Sequence, residues 1–408
     1  MLKLLRNRNY LFLWAGQTIS LIGDNISSWA LVFWVFRASG QSPIMQAIGM
    51  IAGVGPTVIV GPFAGVLVDR WDRRRTMVIA DLIRGVLSVC MVLAVSKGQI
   101  WAAVGLVFLL SCVAQFFDPA RSALTPRIVP TEQLVVASSL GQTTRTVLSL
   151  AGPALGTAVY LVLGARISFT LDAASFFISA LFITLVNVSG AVTTETGMPH
   201  SFLREFTAGI RFAWEARPIR AIIIGLAILF LGGGALNTLS LFILKHLGLN
   251  PANLGWVATL QSVFMLVGSL AVGSSKWAQK RAPLLVPAGL FLGAVGMGFA
   301  AAATNLWWYA AGTVFFGLCN ALLNIGVGVC LQTLVPDEMR GRVVGSAFSL
   351  PMAAMLLSAA AAGVLAGTYS AQSIVGWANL FFIAGTVYLY ITLRHVTIGA
   401  NAAEGESA

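Results

Sequence analysis

Charged residues are scarce in this chain of 408 residues: only 10% are Asp, Glu, Lys or Arg, whereas a soluble domain has roughly 25%. Hydrophobic residues make up 58% of the sequence, and the mean hydropathy is +0.87. Such a chain has too few polar side chains to cover its surface in water. The composition therefore excludes a soluble globular protein.

Histidine and cysteine are also rare, which removes the usual metal ligands and nucleophiles. The three histidines, His200, His246 and His395, fall in predicted loops without HExxH spacing, and the four cysteines lie in apolar segments without CxxC spacing. These patterns argue against a zinc site, a disulfide framework and a membrane enzyme. The sequence has no P-loop, so we expect no metal and no cofactor.

Long apolar runs are present along the whole chain instead. A bilayer core needs about 20 helical residues for each span. We predict an all-α polytopic membrane protein with twelve transmembrane helices. The predicted spans are 10–36, 44–67, 77–97, 100–120, 139–164, 167–188, 219–244, 252–274, 284–303, 306–330, 343–368 and 371–393.

The two halves of the sequence resemble each other. When the chain is shifted by about half its length, residues 129–132 (VPTE) fall on 335–338 (VPDE), and Arg70-Trp71 falls on Lys276-Trp277. This internal repeat predicts two pseudo-symmetric six-helix bundles. The predicted domains are an N-terminal half at 1–188, a linker at 189–218, a C-terminal half at 219–394 and a disordered tail at 395–408.

The predicted linker is amphipathic. Its apolar residues recur at helical spacing opposite charged ones: Phe202, Phe206, Ile210 and Trp214 against Arg204, Glu205, Arg211 and Glu215. This pattern is typical of a helix that lies in the membrane interface.

The basic residues predict the orientation. The net charge is +11, but Lys and Arg cluster in alternate loops and not along one face, which favours membrane topology over nucleic-acid binding. The loop with Arg70 and Arg73–Arg75 shares a side with both termini and the linker. By the positive-inside rule that side is the cytoplasm, so we expect an inner-membrane protein with both termini cytoplasmic.

The loop after the second span contains a family signature. Residues 61–75 (GPFAGVLVDRWDRRR) resemble the G-x-x-x-D-R-x-x-R-R motif of the major facilitator superfamily, with motif positions Gly65, Asp69, Arg70, Arg73 and Arg74. The resemblance implies a cytoplasmic gate in which Arg73 reaches Asp118 and Gly65 allows close helix approach. The alternative is that these charges only set the topology.

Span five contains Gly152, Pro153 and Gly156 in the order G-P-x-x-G, which resembles the antiporter motif of this superfamily, although Leu148 and Thr157 stand where glycines are usual. This favours export. The alternative is a proline kink with small residues for helix packing.

Four further stretches, at 16–24, 80–84, 116–120 and 172–176, resemble the macrolide-efflux and enterobactin-exporter branch. The resemblance implies a monomeric exporter of amphipathic small molecules, such as drugs or siderophores, driven by protons across the bilayer. A lysophospholipid transporter and a proton-coupled nutrient importer stay open as alternatives, because one fold hosts several functions.

An acid inside a span is costly and needs a partner or a purpose. Asp24 lies within span one on a stripe with Gln17, Ser20 and Ser28, and we expect this stripe to line a cavity. Asp24 itself is expected to exchange a proton against substrate. The alternative is that Asp24 is permanently paired and has a structural role.

Arg145 and Gln142 lie on a polar run of span five, where Arg145 could hold Asp24 or an anionic substrate. Asp81 and Arg84, spaced i,i+3, are expected to form a structural pair. In the second half the polar residues within spans are Asn237, Gln261, Asn320 and Asn324. No acid lies between Glu215 and Asp337, so we assign proton coupling to the first half.

Overall fold

A computed structural model of the chain describes residues 2–188, 210–275, 281–336, 339, 343 and 349–396, apart from the side chains at positions 2, 3, 66 and 69. All regular structure in these ranges is helical. The predicted all-α fold is therefore confirmed. The chain divides into two compact units, Met1–Gly197 and Met198–Ala408.

The described part of the N-terminal unit is a succession of helices. They are α1 (Leu2–Leu5), α2 (Arg8–Ala38), α3 (Pro43–Ile59), α4 (Gly61–Asp69), α5 (Arg73–Ser96), α6 (Ile100–Ile128) and α7 (Leu134–Thr184). α7 is broken at Gly164, whose φ of 79° and ψ of 171° are not helical. Glycine adopts this conformation without steric cost. The break divides α7 into a first segment, 134–163, and a second segment, 165–184.

The second predicted span is also broken. Residues 44–67 form α3 and α4, which meet at Val60. Pro62 lies at the start of α4, and a proline has no N–H with which to continue the hydrogen bonding of the preceding helix. One predicted span is thus made of two shorter helices.

The described part of the C-terminal unit contains α8 (Arg217–His246), α9 (Asn253–Gly273), α10 (Ala282–Ala301), α11 (Leu306–Leu334), α12 (Ser349–Leu365) and α13 (Ala371–Leu393). Among the residues described in both units, nine helices are long and apolar enough to cross a membrane. One of the nine is α7, which contains two predicted spans. The shorter apolar helices α3 and α12 account for the remaining two of the twelve predicted spans.

In the N-terminal unit α2 packs between the two segments of α7. A Cβ added to Gly23 of α2 would lie 2.8 Å from Cβ of Ser175 in the second segment, and one added to Gly156 in the first segment would lie 2.8 Å from Cβ of Trp29. Small residues allow membrane helices to approach this closely. α2 therefore has contacts to both segments along its length.

In the C-terminal unit α8 has the equivalent surroundings. A Cβ on Gly234 would lie 2.8 Å from Cβ of Ser358 in α12, and a Cβ on Gly232 would lie 2.6 Å from the ring of Phe382 in α13. The first long helix of each unit thus packs against the fifth and sixth spans of the same unit. This agreement in packing is what an internal repeat predicts.

Most of the predicted linker and tail lies outside the described residues. Phe202, Arg204, Glu205 and Phe206 are among those not described, as are residues 397–408. Residues 210–215 are helical, and Nε of Arg211 donates to Oε1 of Glu215 at 2.8 Å. The amphipathic interfacial linker and the disordered tail stay predictions.

Candidate functional site

Three helices bring ionisable side chains together inside the N-terminal unit. Nη2 of Arg84, on α5, lies 2.7 Å from Oδ1 of Asp24 on α2. Cζ of Arg84 lies 4.0 Å from the ring centroid of Phe176, on the second segment of α7, which adds a cation–π contact. The Arg84 side chain is 10% exposed and that of Asp24 is 34% exposed. Charge-assisted bonds of this length are among the stronger ones in proteins.

Two further carboxylates lie beside the same guanidinium. Oδ1 of Asp81 is 3.8 Å from Nη1 of Arg84. Oδ2 of Asp172 accepts a hydrogen bond from the hydroxyl of Ser88 at 2.8 Å. Asp81 and Asp172 are 0% and 2% exposed. We refer to Asp24, Asp81, Arg84 and Asp172 as the acid–arginine cluster.

Asp24 and Arg84 line two cavities of the N-terminal unit, each of about 120 Å³. One of them, which we call the upper cavity, lies farther from the loop with Arg70 and is also lined by Ser27, Ser28, Ser111, Phe169, Asp172 and Phe176. The lower cavity, nearer to the loop with Arg70, also has Gln17, Ser20, Phe117, Asp118, Arg121 and Arg145 in its wall. The Asp24–Arg84 pair is therefore shared by two cavities, one on either side of it.

The predicted stripe on α2 lies where the cavities are. Gln17 lines the lower cavity and Ser28 the upper one, with Asp24 in both. Nε2 of Gln17 is buried without a hydrogen-bond acceptor among the described residues. Gln142, in contrast, is exposed and lines neither cavity.

The proposed pair of Asp24 with Arg145 is not formed. Nη2 of Arg145 lies 3.0 Å from Oδ1 of Asp118 instead, and Asp24 is bound by Arg84. Both arginines line the lower cavity with Asp24. Arg145 is thus in the same cavity as Asp24 but has a different partner, because α5 and α2 both pack against the second segment of α7, which brings Arg84 to Asp24.

The predicted contact of Arg73 with Asp118 is also absent from the described structure. Oδ1 of Asp118 is shared by Arg121 and Arg145, each at 3.0 Å. Nε and Nη1 of Arg73 are buried without a hydrogen-bond acceptor among the described residues. The side chain of Asp69 lies outside the described part, so the role of this motif residue in a cytoplasmic gate stays a prediction.

The other residues of the family signature each have a different environment. Arg74 donates from Nε to the carbonyl of Ile183 at 3.2 Å and from Nη2 to the carbonyl of Thr184, and so caps the last turn of α7. Arg70 is exposed. A Cβ on Gly65 would meet no described atom within 4 Å beyond its own helix, so the predicted close approach at this glycine is not found.

The G-P-x-x-G residues of span five contact the helix that contains Asp24. A Cβ on Gly152 would overlap Oδ1 of Asn25, and a Cβ on Gly156 would lie 3.0 Å from the carbonyl oxygen of Asn25. Pro153 is buried beside them. These residues therefore set the distance between α2 and the first segment of α7 next to Asp24.

The asparagines predicted for a cavity in the C-terminal half are hydrogen-bonded to the backbone of their own helices in the described residues. The amides of Asn237, Asn320 and Asn324 each donate to the carbonyl four residues earlier on their own helix, at 3.2, 2.9 and 2.8 Å. Gln261 lies on α9, close to Gly317 of α11 through its backbone. Their place in a substrate cavity stays a prediction.

Sequence reasoning missed Asp172 and the position of Asp81 beside Asp24. Asp172 entered only as part of a stretch resembling a transporter branch, and Asp81 only as the local partner of Arg84. The signal was available for both, because an acid within an apolar span is costly and therefore informative. Ser88, which binds Asp172, has no comparable signal in the sequence.

The family follows from a comparison with family models. The model described as Major Facilitator Superfamily matches residues 13–350, with a second match at 222–398. The chain belongs to the Major Facilitator Superfamily. It is a multi-pass membrane transporter of small molecules and not an enzyme, as predicted.

Two relatives and one solved structure illustrate the family match. Macrolide efflux protein A of Streptococcus pyogenes is 25% identical over 387 residues, which cover 93% of each chain. The multidrug efflux pump Tap of Mycolicibacterium fortuitum is 28% identical over 367 residues, covering 87% of this chain and 88% of Tap. The crystal structure of the nucleoside transporter NupG matches with a TM-score of 0.75, covering 95% of this chain and 100% of NupG, at 11% identity, which shows the fold alone.

The packing of this superfamily member at Gly156 gives a first prediction. We expect Gly156→Ala to lower the free energy of unfolding by about 1–3 kcal/mol, because the new Cβ overlaps Trp29 and the backbone of α2. Thermal melting of the purified protein in detergent measures this. Gly141→Ala is the matched control on the same helix, where a Cβ meets nothing within 4 Å. If both variants melt alike, the close contact with α2 does not limit stability.

Proposed function

We propose that this transporter exports amphipathic small molecules in exchange for protons, by alternating access. The supporting observation is the Asp24–Arg84 pair at 2.7 Å, which lines two cavities within membrane-spanning helices. The direction is supported by the relatives named macrolide efflux protein A and multidrug efflux pump Tap. The arginines near Arg70 support cytoplasmic termini in the inner membrane.

The coupling chemistry follows from competition for one carboxylate. Asp24 is the most exposed acid of the cluster, so a cationic group of a substrate in either cavity can reach it. Binding of such a cation at Asp24 displaces Arg84 and adds one positive charge to the cluster. Uncompensated charges are costly in a low dielectric, so the release of a proton from the cluster is favoured. A proton lost from the cluster when substrate binds, and regained when substrate leaves, gives antiport.

Transport in proteoliposomes tests this proposal. The native chain would be assayed with a cationic macrolide, a catecholate siderophore, a lysophospholipid and a nucleoside, in vesicles with an acidic interior. We expect one of the amphipathic compounds to accumulate against its gradient, and a protonophore to abolish the accumulation. Protein-free liposomes are the control for passive entry.

The other outcomes identify the alternatives. Lysophospholipid movement that ignores the proton gradient would indicate a lipid transporter. Accumulation only in vesicles with an alkaline interior would indicate symport, and hence a nutrient importer. Either result would overturn proton-driven export of amphipathic compounds.

A further inference from the structure

The acid–arginine cluster has more acids than bases. Asp24, Asp81 and Asp172 surround the one guanidinium of Arg84. If all three carboxyls were ionised, two negative charges would be left without a counter-charge inside membrane-spanning helices. Such charges are avoided by neutralising the group. The protonated form is therefore favoured for at least one of these carboxyls.

The geometry indicates which carboxyl is ionised. Asp24 has the closest approach to Arg84, at 2.7 Å, and is the only one of the three with a partly exposed side chain. An opposite charge at this distance and contact with a cavity both favour the ionised form. The pair argues against the sequence-based expectation that Asp24 itself exchanges the proton.

The hydrogen bonds point to Asp172. Its Oδ2 accepts a hydrogen bond from Ser88, while its buried Oδ1 has no hydrogen bond of standard geometry among the described residues, because the nearby Ser27 hydroxyl donates to the carbonyl of Asp24. A buried anionic oxygen without a donor is costly, whereas a protonated carboxyl has one oxygen that needs no donor. The bonding of Asp172 thus suits a neutral carboxyl.

Access distinguishes Asp172 from Asp81. Asp172 lines the upper cavity together with Asp24 and Arg84, so a proton can leave it for cavity water. Asp81 is fully buried and lines neither cavity, and neither of its oxygens has a hydrogen bond of standard geometry among the described residues, although the Ser179 hydroxyl and Nη1 of Arg84 lie beside it. A proton on Asp81 has no comparable route, which makes Asp81 a fixed member of the cluster.

We propose that Asp172 is the proton-carrying carboxyl of the cluster and that Arg84 controls it by changing partner between Asp24 and Asp172. The coupling of this proton to export rests on the proposed function, whereas the location of the proton on Asp172 does not. When a substrate cation occupies Asp24, the guanidinium turns towards Asp172. The O–H bond of the Asp172 carboxyl then breaks, the electron pair stays on the carboxylate, and the proton passes to water in the upper cavity. The reverse steps restore the starting state.

Two observations support the change of partner. Nε of Arg84 is buried without an acceptor among the described residues, so one N–H of the guanidinium is available to bind another carboxylate. The charged groups that face Asp172 are Asp24 from α2 and Arg84 and Asp81 from α5, whereas α6 contributes only uncharged residues to the upper cavity. Arg84 is therefore the one cation described beside Asp172.

Infrared spectroscopy tests the proton without a transport assay. In the native chain in lipid nanodiscs near neutral pH, we expect the carbonyl-stretching band of a protonated carboxylic acid, shifted by exchange into D₂O. Asp172→Asn should lose the component of this band that comes from Asp172, and Glu215→Gln, which changes an exposed acid, should leave the band unchanged. A band that is unchanged in Asp172→Asn, or that changes only in Asp81→Asn, would overturn the proposal.

A second variant keeps the test usable if Asp172→Asn does not fold. Ser88→Ala removes the hydroxyl that binds Oδ2 of Asp172, so it should shift the same band without removing it. An unchanged band in folded Ser88→Ala would also overturn the assignment.

A transport measurement separates this inference from the proposed function. Folded Asp172→Asn should lose proton-driven accumulation but retain exchange of substrate across the membrane at equal pH, because Asp24 still binds the cation. If the infrared band is assigned to Asp172 but native transport ignores the proton gradient, the proposed antiport fails and the proton site stands. If Asp172→Asn remains fully coupled to protons, the role of Asp172 as the carrier fails.

Discussion

Arg84→Ala is expected to lower the free energy of unfolding by about 3–5 kcal/mol, which is typical for removing one partner of a buried ion pair. The change leaves Asp24 without its 2.7 Å partner and leaves Asp81 without its counter-charge. It also removes the contact of the guanidinium with the Phe176 ring. Thermal melting of the detergent-solubilised protein, with size-exclusion chromatography to verify folding, measures the loss. We expect transport to be abolished as well.

Two control variants show whether charge is the cause. Arg84→Lys keeps the positive charge but loses the planar fork, so it should recover part of the stability. The double variant Arg84→Ala with Asp24→Asn removes one negative charge together with the positive one, and should be more stable than Arg84→Ala alone. If Arg84→Ala melts within about 0.5 kcal/mol of the native protein, the range of ordinary surface substitutions, the cluster does not depend on this arginine.

Much of the fold follows from the sequence because hydropathy in a membrane protein is a strong constraint. Each predicted span corresponds to a helix or to a pair of helices in the described structure. The breaks were harder to predict. Hydropathy places the boundary between spans five and six only approximately, and the structure puts it at Gly164. The junction of α3 and α4 at Val60 depends on Pro62, which lies inside an apolar run.

The candidate site was predicted only in part. The cost of an acid in a membrane drew attention to Asp24, and its neighbours on one helix face followed from helical periodicity. Its partner did not follow, because Arg84 is 60 residues away in sequence and reaches Asp24 only because α5 and α2 both pack against the second segment of α7. The i,i+3 spacing predicted the pair of Asp81 with Arg84, which is present at 3.8 Å, but it did not reveal that Arg84 lies closer to Asp24, at 2.7 Å.

The superfamily signature shows the same limit. Its spacing identified the family, but the contacts of single residues depend on where other helices end. Arg74 caps α7 because the start of α5 lies beside Thr184, which no local pattern in the sequence reveals. Asp118 is bound by Arg121 and Arg145 and not by Arg73, since the first segment of α7 brings Arg145 to it.

Asp24→Asn is expected to reduce proton-driven accumulation of substrate by about tenfold or more, because the variant has no carboxylate for which substrate and Arg84 can compete. Hydrogen bonds to charged groups contribute about 1.5–3 kcal/mol, and a difference of about 1.4 kcal/mol is a factor of ten in an equilibrium. The cost in folding should be smaller than for Arg84→Ala, since Arg84 keeps Asp81 and is freed to bind Asp172. Uptake into acid-loaded proteoliposomes measures the effect.

Glu215→Gln is the matched control for Asp24→Asn, because it makes the same change from acid to amide in an exposed pair with Arg211. Exposed ion pairs contribute little to stability, so this variant should transport and melt as the native protein does. Native rates in Asp24→Asn would mean that Asp24 only supports the structure. Loss of proton-driven accumulation in Asp24→Asn with a native-like melting curve would instead place the competition for this carboxylate at the centre of transport.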